Sequence, residues 1–213
     1  MCQSCLSWYA RCMAPYFVHV GCSARAFTHM RRRLIPRADG VVVEVGFGSG
    51  LNLPYYDAGR VKRLVGVDPD GTMLGLAEPK SRSLPFKVDC IRASGERLPL
   101  IDTFADTVVV TYAFCTIPDP EAALTEIRRI LKPTGRLIFI EHGQAEGPRC
   151  RKWQERLNRS WGRLAGGCHL NRDPLHLIRA AGFHVVEAER ERFRLPFWQL
   201  GSHHAGIAIP PTG

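Results

Sequence analysis

The run from Val41 to Gly50, VVVEVGFGSG, constrains this chain more than any other stretch. Val41–Val45 is short, β-branched and apolar apart from Glu44, which is the character of a buried strand. Gly46, Gly48 and Gly50 follow at two-residue spacing. Glycines so placed allow a tight turn in which the backbone approaches a ligand without Cβ atoms in the way. A second apolar run, Leu64–Asp68 (LVGVD), ends in an acid about 20 residues beyond the glycines, where a second parallel strand should end. An acid there can hydrogen-bond ribose hydroxyls.

Two nucleotide readings compete for such a site. A dinucleotide fold uses G-x-G-x-x-G with a helix N-terminus aimed at a pyrophosphate. Here the spacing is G-x-G-x-G and Glu44 precedes it. A carboxylate under the loop suits a cationic ligand better than a pyrophosphate. S-adenosylmethionine carries an ammonium, a sulfonium and a ribose, and no phosphate. With Glu44, Gly46, Gly48 and Gly50 in the order E-x-G-x-G-x-G, the chain resembles the class I S-adenosylmethionine-dependent methyltransferases.

The resemblance extends to three further segments. VDPDGTML (Val67–Leu74) is similar to the family's second motif, which implies Asp68 on the ribose and Met73 against the adenine. Ala93-Ser94-Gly95-Glu96 is similar to the motif after the third strand, which implies Ser94, Gly95 and Glu96 near the adenine amine; many relatives carry G-D-A-E there. Asp102–Tyr112 followed by LKPTGRL completes the order, so the resemblance covers about residues 38–210. It implies a Rossmann-like α/β fold, with a seven-stranded, mostly parallel sheet and helices on both faces.

The alternation of strand and helix signals agrees with that fold. Strands are expected at Val41–Val45, Leu64–Val67, Phe86–Ile91, Thr107–Tyr112, Arg136–Glu141, Phe183–Ala188 and Ala205–Ile209. Asp119-Pro120 and Asp173-Pro174 read as helix N-caps with proline at the first position. The first of these helices is expected to stop at Lys132-Pro133-Thr134-Gly135, and the second at Ala181-Gly182, with glycine as the left-handed terminator. Residues 1–39 read as an N-terminal helical lid segment broken at Pro15, and residues 40–213 as the methyltransferase domain.

At 213 residues the chain can bury one sizeable α/β core. No stretch reaches the ~20 apolar residues of a membrane span, and the first residues lack the layout of a secretory signal. A cytoplasmic location is therefore expected. The eight cysteines include a Cys2-x-x-Cys5 pair, which Cys12, His19 or Cys22 could complete only at spacings that fit no common zinc pattern. Reduced thiols and no metal are the expectation; a disulfide framework and a terminal metal site stay open. The net charge of +9 is uneven: residues 1–39 and 146–213 each carry +5, and residues 40–145 carry −1. Basic flanks are either solvated arginines or a surface for an anionic partner such as a membrane. Without an aromatic-basic recognition motif, no nucleic acid is expected.

Methyl transfer to a sulfonium-activated carbon needs positioning and water exclusion more than a fixed catalytic group. Tyr112, Phe114 and Cys115, after the fourth strand, are expected to face the methyl group, and His142, after the fifth, could act as a base or orient the acceptor. Cys168-His169 lies on an insertion before the last helix. The combination A-S-G-E, V-V-V-T-Y-x-F-C-x-I, E-H-G and G-G-C-H-L-N-R resembles one branch of the family, which holds alkyl-thiol S-methyltransferases and bacterial phospholipid N-methyltransferase-like proteins. This implies a small-molecule acceptor, first of all a small or hydrophobic thiol. The alternatives are phosphatidylethanolamine at an anionic membrane surface, with the enzyme peripheral to it, and a quinone precursor methylated on carbon.

Overall fold

The computed structural model describes Val20, Cys22 and residues 25–192 and 202–211. The terminal cysteines Cys2, Cys5 and Cys12 and the helix break at Pro15 lie outside these residues.

A seven-stranded sheet in the order β3-β2-β1-β4-β5-β7-β6 forms the centre. Its strands are β1 (Gly40–Val45), β2 (Val61–Asp68), β3 (Lys87–Arg92), β4 (Ala105–Thr111), β5 (Leu131–Gly143), β6 (His184–Arg192) and β7 (Ser202–Ile209). Among the described strands β7 runs opposite in direction to the other six, antiparallel to both of its neighbours, β5 and β6. Among the described residues the longer helices are α1 (Arg25–Leu34), α2 (Gly71–Ser81), α3 (Pro120–Ile130), α4 (Pro148–Leu164) and α5 (Pro174–Ala180).

The period-two alternation of strand side chains divides the core into two layers. Val43, Val45, Val108, Val110, Leu137 and Phe139 point to one face, where Leu124, Ile127 and Ile130 of α3 cover them. Val42, Val109, Ile138 and Ile140 point to the other, under Met30 and Leu34 of α1 and Leu74 and Ala77 of α2. The sheet is covered on both sides, so its central strands are near-continuous apolar runs. Glu44 shares the face of Val42, and that places a carboxyl in the layer under α1.

Asp119 caps α3 by accepting from the Ala122 amide, and Asp173 caps α5 by accepting from that of His176. Gly182 follows α5 at φ +86°. The α3 helix ends earlier than the Lys132–Gly135 stretch predicts. Leu131 is already extended (φ −71°, ψ 137°) and opens β5 with its side chain buried in the core, and Pro133 keeps Lys132, the residue before it, out of the helical region as well. The strand order reverses between β1 and β4, and a cleft opens beyond the C-terminal ends of those strands, as expected of doubly wound sheets.

Candidate active site

The glycine loop leaves β1 with Gly46, Gly48 and Gly50 all in the left-handed region (φ +77°, +54° and +70°). A Cβ on Gly46 would lie 2.4 Å from the Ala113 methyl, so this residue also lets the loop pass beside the end of β4. Gly50 turns away from the cleft: a Cβ there would meet Leu53 at 2.6 Å and Ala77 at 3.2 Å. The loop is tied down by Asp68, whose Oδ2 accepts from the Gly48 amide at 2.8 Å. Its Oδ1 accepts from the Asp70 amide at 2.9 Å. Each carboxylate oxygen retains capacity for a further donor. Burial raises the Asp68 pKa, opposed by these two amides.

Glu44 is fully buried and doubly held. Its Oε1 accepts from Asn52 Nδ2 at 2.9 Å and its Oε2 from the Tyr56 hydroxyl at 2.6 Å. Burial nevertheless pushes its pKa up to about 7. Asn52 also donates to Thr111 Oγ1 and accepts from Arg31 Nε at 3.0 Å. Arg31 is itself buried, donates to the Cys22 carbonyl and stacks its guanidinium 5.4 Å from the Tyr112 ring. Asn52, Tyr56 and Arg31 escaped the sequence analysis; the only sequence hint was their nearness to the glycine loop and to the arginine run.

Arg31, Glu44, Asn52 and Asp68 line a cavity of about 330 Å³, within the ordinary range for small-molecule sites of about 300–1,000 Å³. Of the predicted cofactor residues, Glu44, Gly46, Gly48, Asp68, Met73, Ser94, Gly95 and Glu96 reach it, and Gly50 does not. Ser94 Oγ bonds Glu96, whose other oxygen accepts from the Asp119 amide at 3.2 Å.

At the other end of the cavity stands Tyr112, a non-glycine residue at φ +54°, a conformation that costs energy and recurs at functional sites. Its hydroxyl lies 3.1 Å from His203 Nδ1 and its ring packs edge-on against Phe27, 5.0 Å between centroids. Burial raises the Tyr112 pKa far above the phenol range and lowers that of His203 to about 3. His203, brought in by β7, was not foreseen either. Phe114 departs from expectation: its ring is core, not cavity wall, because the post-β4 turn directs it inward. Glu141 holds that turn, its Oε1 accepting from the amides of Ala113 and Phe114 at 2.7 and 3.0 Å.

Cys115 and His142 lie behind the cavity wall, where Cys168 joins them. His142 Nε2 is 2.9 Å from Cys168 Sγ, which also accepts from Trp161 Nε1 at 3.3 Å. Burial works against protonating His142, yet the hydrogen bond and charge of Cys168 carry its pKa above the usual histidine value. The Cys168 thiol is pushed up by Cys115 and by burial.

A glycine loop at the switch point of a doubly wound sheet, with a buried acid under it and another at the end of the next strand, is the architecture of class I methyltransferases. Residues 43–139 match the family described as "Methyltransferase domain". The chain is 32% identical over 173 residues to the thiol S-methyltransferase TMT1B of Rattus norvegicus, covering 79% of this chain and 70% of that protein. It is 30% identical over 118 residues to the ubiquinone/menaquinone biosynthesis C-methyltransferase UbiE of Syntrophotalea carbinolica, covering 55% of this chain and 50% of that protein. In fold it is similar to a geranyl diphosphate methyltransferase solved in complex with S-adenosylmethionine (TM-score 0.69, 15% identity, 88% of this chain and 84% of that one). The chain belongs to the class I S-adenosylmethionine-dependent methyltransferases, as a relative of the TMT1 thiol S-methyltransferases.

Proposed function

We propose that this enzyme methylates the sulfur of a small or hydrophobic thiol. S-adenosylmethionine supplies an electrophilic methyl group on a sulfonium, so the new C–S bond forms as the old one breaks and its electron pair stays on the departing sulfur. The residues present fit that cofactor: the glycine loop offers bare backbone, Glu44 offers negative charge to a cationic ligand, and Asp68 offers open acceptor positions for ribose hydroxyls. Met73 packs beside the loop, and Ser94, Gly95 and Glu96 form the adenine end. The α1 residues Phe27 and Arg31 cover Tyr112, which supports reading residues 1–39 as a lid over the acceptor.

The observation that carries the thiol reading is that His142, the candidate base, and Tyr112, expected to face the methyl group, are both already engaged. His142 is bonded to Cys168, Tyr112 pairs with His203, and the Tyr112 hydroxyl is shifted away from ionisation. A thiol is already a few per cent thiolate at about pH 7, its proton lost to solvent, and that thiolate is strongly nucleophilic, so no strong base is needed. The similarity to a thiol S-methyltransferase adds to this.

A second reading is favoured by α4, which carries six basic residues and one acid and leaves Trp153 and Leu164 exposed. That is a surface on which an anionic membrane could deliver a lipid acceptor such as phosphatidylethanolamine.

Transfer of labelled methyl to small thiols, phosphatidylethanolamine vesicles and quinol precursors, offered side by side, decides among these. Label on the thiol product is expected. Label in the lipid fraction alone would replace the thiol reading with N-methylation, and label on quinol carbon alone would replace it with C-methylation.

A further inference from the structure

The fold brings together three soft donors that no sequence motif pairs. Cys115 follows β4, His142 lies in β5, and Cys168 sits in the turn between α4 and α5. Their Sγ, Nε2 and Sγ atoms all lie within 4.8 Å of one another, and both sulfurs are buried. Zinc-class ions bind thiolate at about 2.3 Å and imidazole at about 2.0 Å, so donors this close can share one ion after small rotations. Three protein ligands leave the fourth tetrahedral position open, which is the pattern of reactive rather than purely structural sites. The surroundings also fit. Trp161 Nε1 already donates to Cys168 Sγ, the kind of outer-shell N–H that steadies a bound thiolate. Ala165 and Trp161 pack against the two sulfurs and keep the site dry. The nearby Arg172 guanidinium is occupied by the carbonyls of Phe114, Ile117 and Pro118.

We propose that Cys115, His142 and Cys168 form a three-ligand site for a thiophilic divalent cation of the zinc class, at the acceptor edge of the cofactor cavity. Thr116 and Gly166, which neighbour the site in sequence, line that cavity. Loading the site releases two protons to solvent as the thiols become thiolates. The metal site stands on geometry alone. Its role rests on the thiol reading: the open position takes the acceptor sulfur as thiolate, with the acceptor's proton also lost to solvent.

The test is cobalt titration of the chelator-treated full-length protein. The expected result is one ion per chain, an intense visible band of four-coordinate cobalt and a thiolate-to-cobalt charge-transfer band. Cys168→Ser should lose about half of the charge-transfer intensity, one of two thiolates being removed, and weaken binding at least about 10-fold, whereas the Cys2→Ser/Cys5→Ser double variant should keep both the full intensity and the affinity. Absence of the bands, or bands lost only in the Cys2/Cys5 variant, overturns the site. Alkylation mapping of the wild-type chain covers a variant that fails to fold: zinc should slow modification of Cys115 and Cys168 specifically, and unchanged rates overturn the site. Addition of a small thiol should shift the charge-transfer band. An unshifted band in a loaded protein overturns the role while leaving the site, and methyl transfer to thiols tests the underlying reading separately.

Discussion

The two ends of the cavity are built by different means. At the cofactor end, the glycine loop is held through backbone groups: the amides of Gly48 and Asp70 share the Asp68 carboxylate, and strand register sets the distances. At the acceptor end, single side chains from remote segments meet. Tyr112 finds His203 across 91 residues, and His142 finds Cys168 across 26. A site made of backbone needs glycines at fixed spacing and leaves a motif in the sequence. A site made of side chains needs only the fold, and its members can stand anywhere in the chain. One scaffold can thus keep a cofactor while its acceptor changes.

The largest effect expected from this contrast is at Gly46. Gly46→Val forces a branched residue into φ +77° and places a Cβ 2.4 Å from Ala113. The backbone cost is about 1–2 kcal/mol and overpacking adds about 1–3 kcal/mol. Calorimetry should show cofactor affinity at least about 100-fold weaker, equivalent to about 2.7 kcal/mol. Wild-type affinity would mean that the cofactor end is not built on its backbone.

A smaller effect concerns pH. Glu44 has a pKa of about 7 in the free protein, and a bound cation favours its charged form, so binding lowers that pKa. Cofactor affinity should be complete above about pH 7 and decline as pH falls below it, by at most about tenfold per unit. Glu44→Gln should bind more weakly at high pH and flatten this dependence. A wild-type profile that stays level across neutral pH would remove Glu44 from cofactor recognition.

The smallest effect lies outside both ends. The Arg33–Glu189 pair, 2.7 Å apart, is partly exposed and joins α1 to β6. Arg33→Ala should cost about 0.2–1 kcal/mol in denaturant unfolding and leave cofactor affinity unchanged. A markedly larger loss would show that α1 docking depends on this charge pair rather than on Met30 and Leu34.

What could be read in advance follows the same division. The strands of the sheet, the Asp119 and Asp173 caps, the Gly182 terminator and the gathering of eight motif residues at one cavity were legible, because local propensity and tertiary need agree there. The α4 helix was not. Its 17 residues are strongly polar, and among the described side chains it buries only Gln154, so no apolar stripe announces it. Arg31 stands in a run of three arginines that does not set it apart in composition; its burial goes with Asn52, 21 residues away, which accepts from its Nε, and with the Cys22 carbonyl. The two basic flanks looked alike in composition, yet Arg33 and Arg37 are paired with Glu189 and Glu187 of β6, while the charges of α4 face outward.

Arg31 touches both ends of the cavity, since its Nε reaches the Asn52 that holds Glu44 and its guanidinium lies on Tyr112. On the proposed placement of cofactor and acceptor, the two binding events share a free energy through Arg31. Whatever factor by which the bound cofactor tightens α1 over the acceptor wall, the seated helix must tighten the cofactor by the same factor. A change at Arg31 will register in the equilibrium constants of both ligands, although it is assigned as a direct contact to neither.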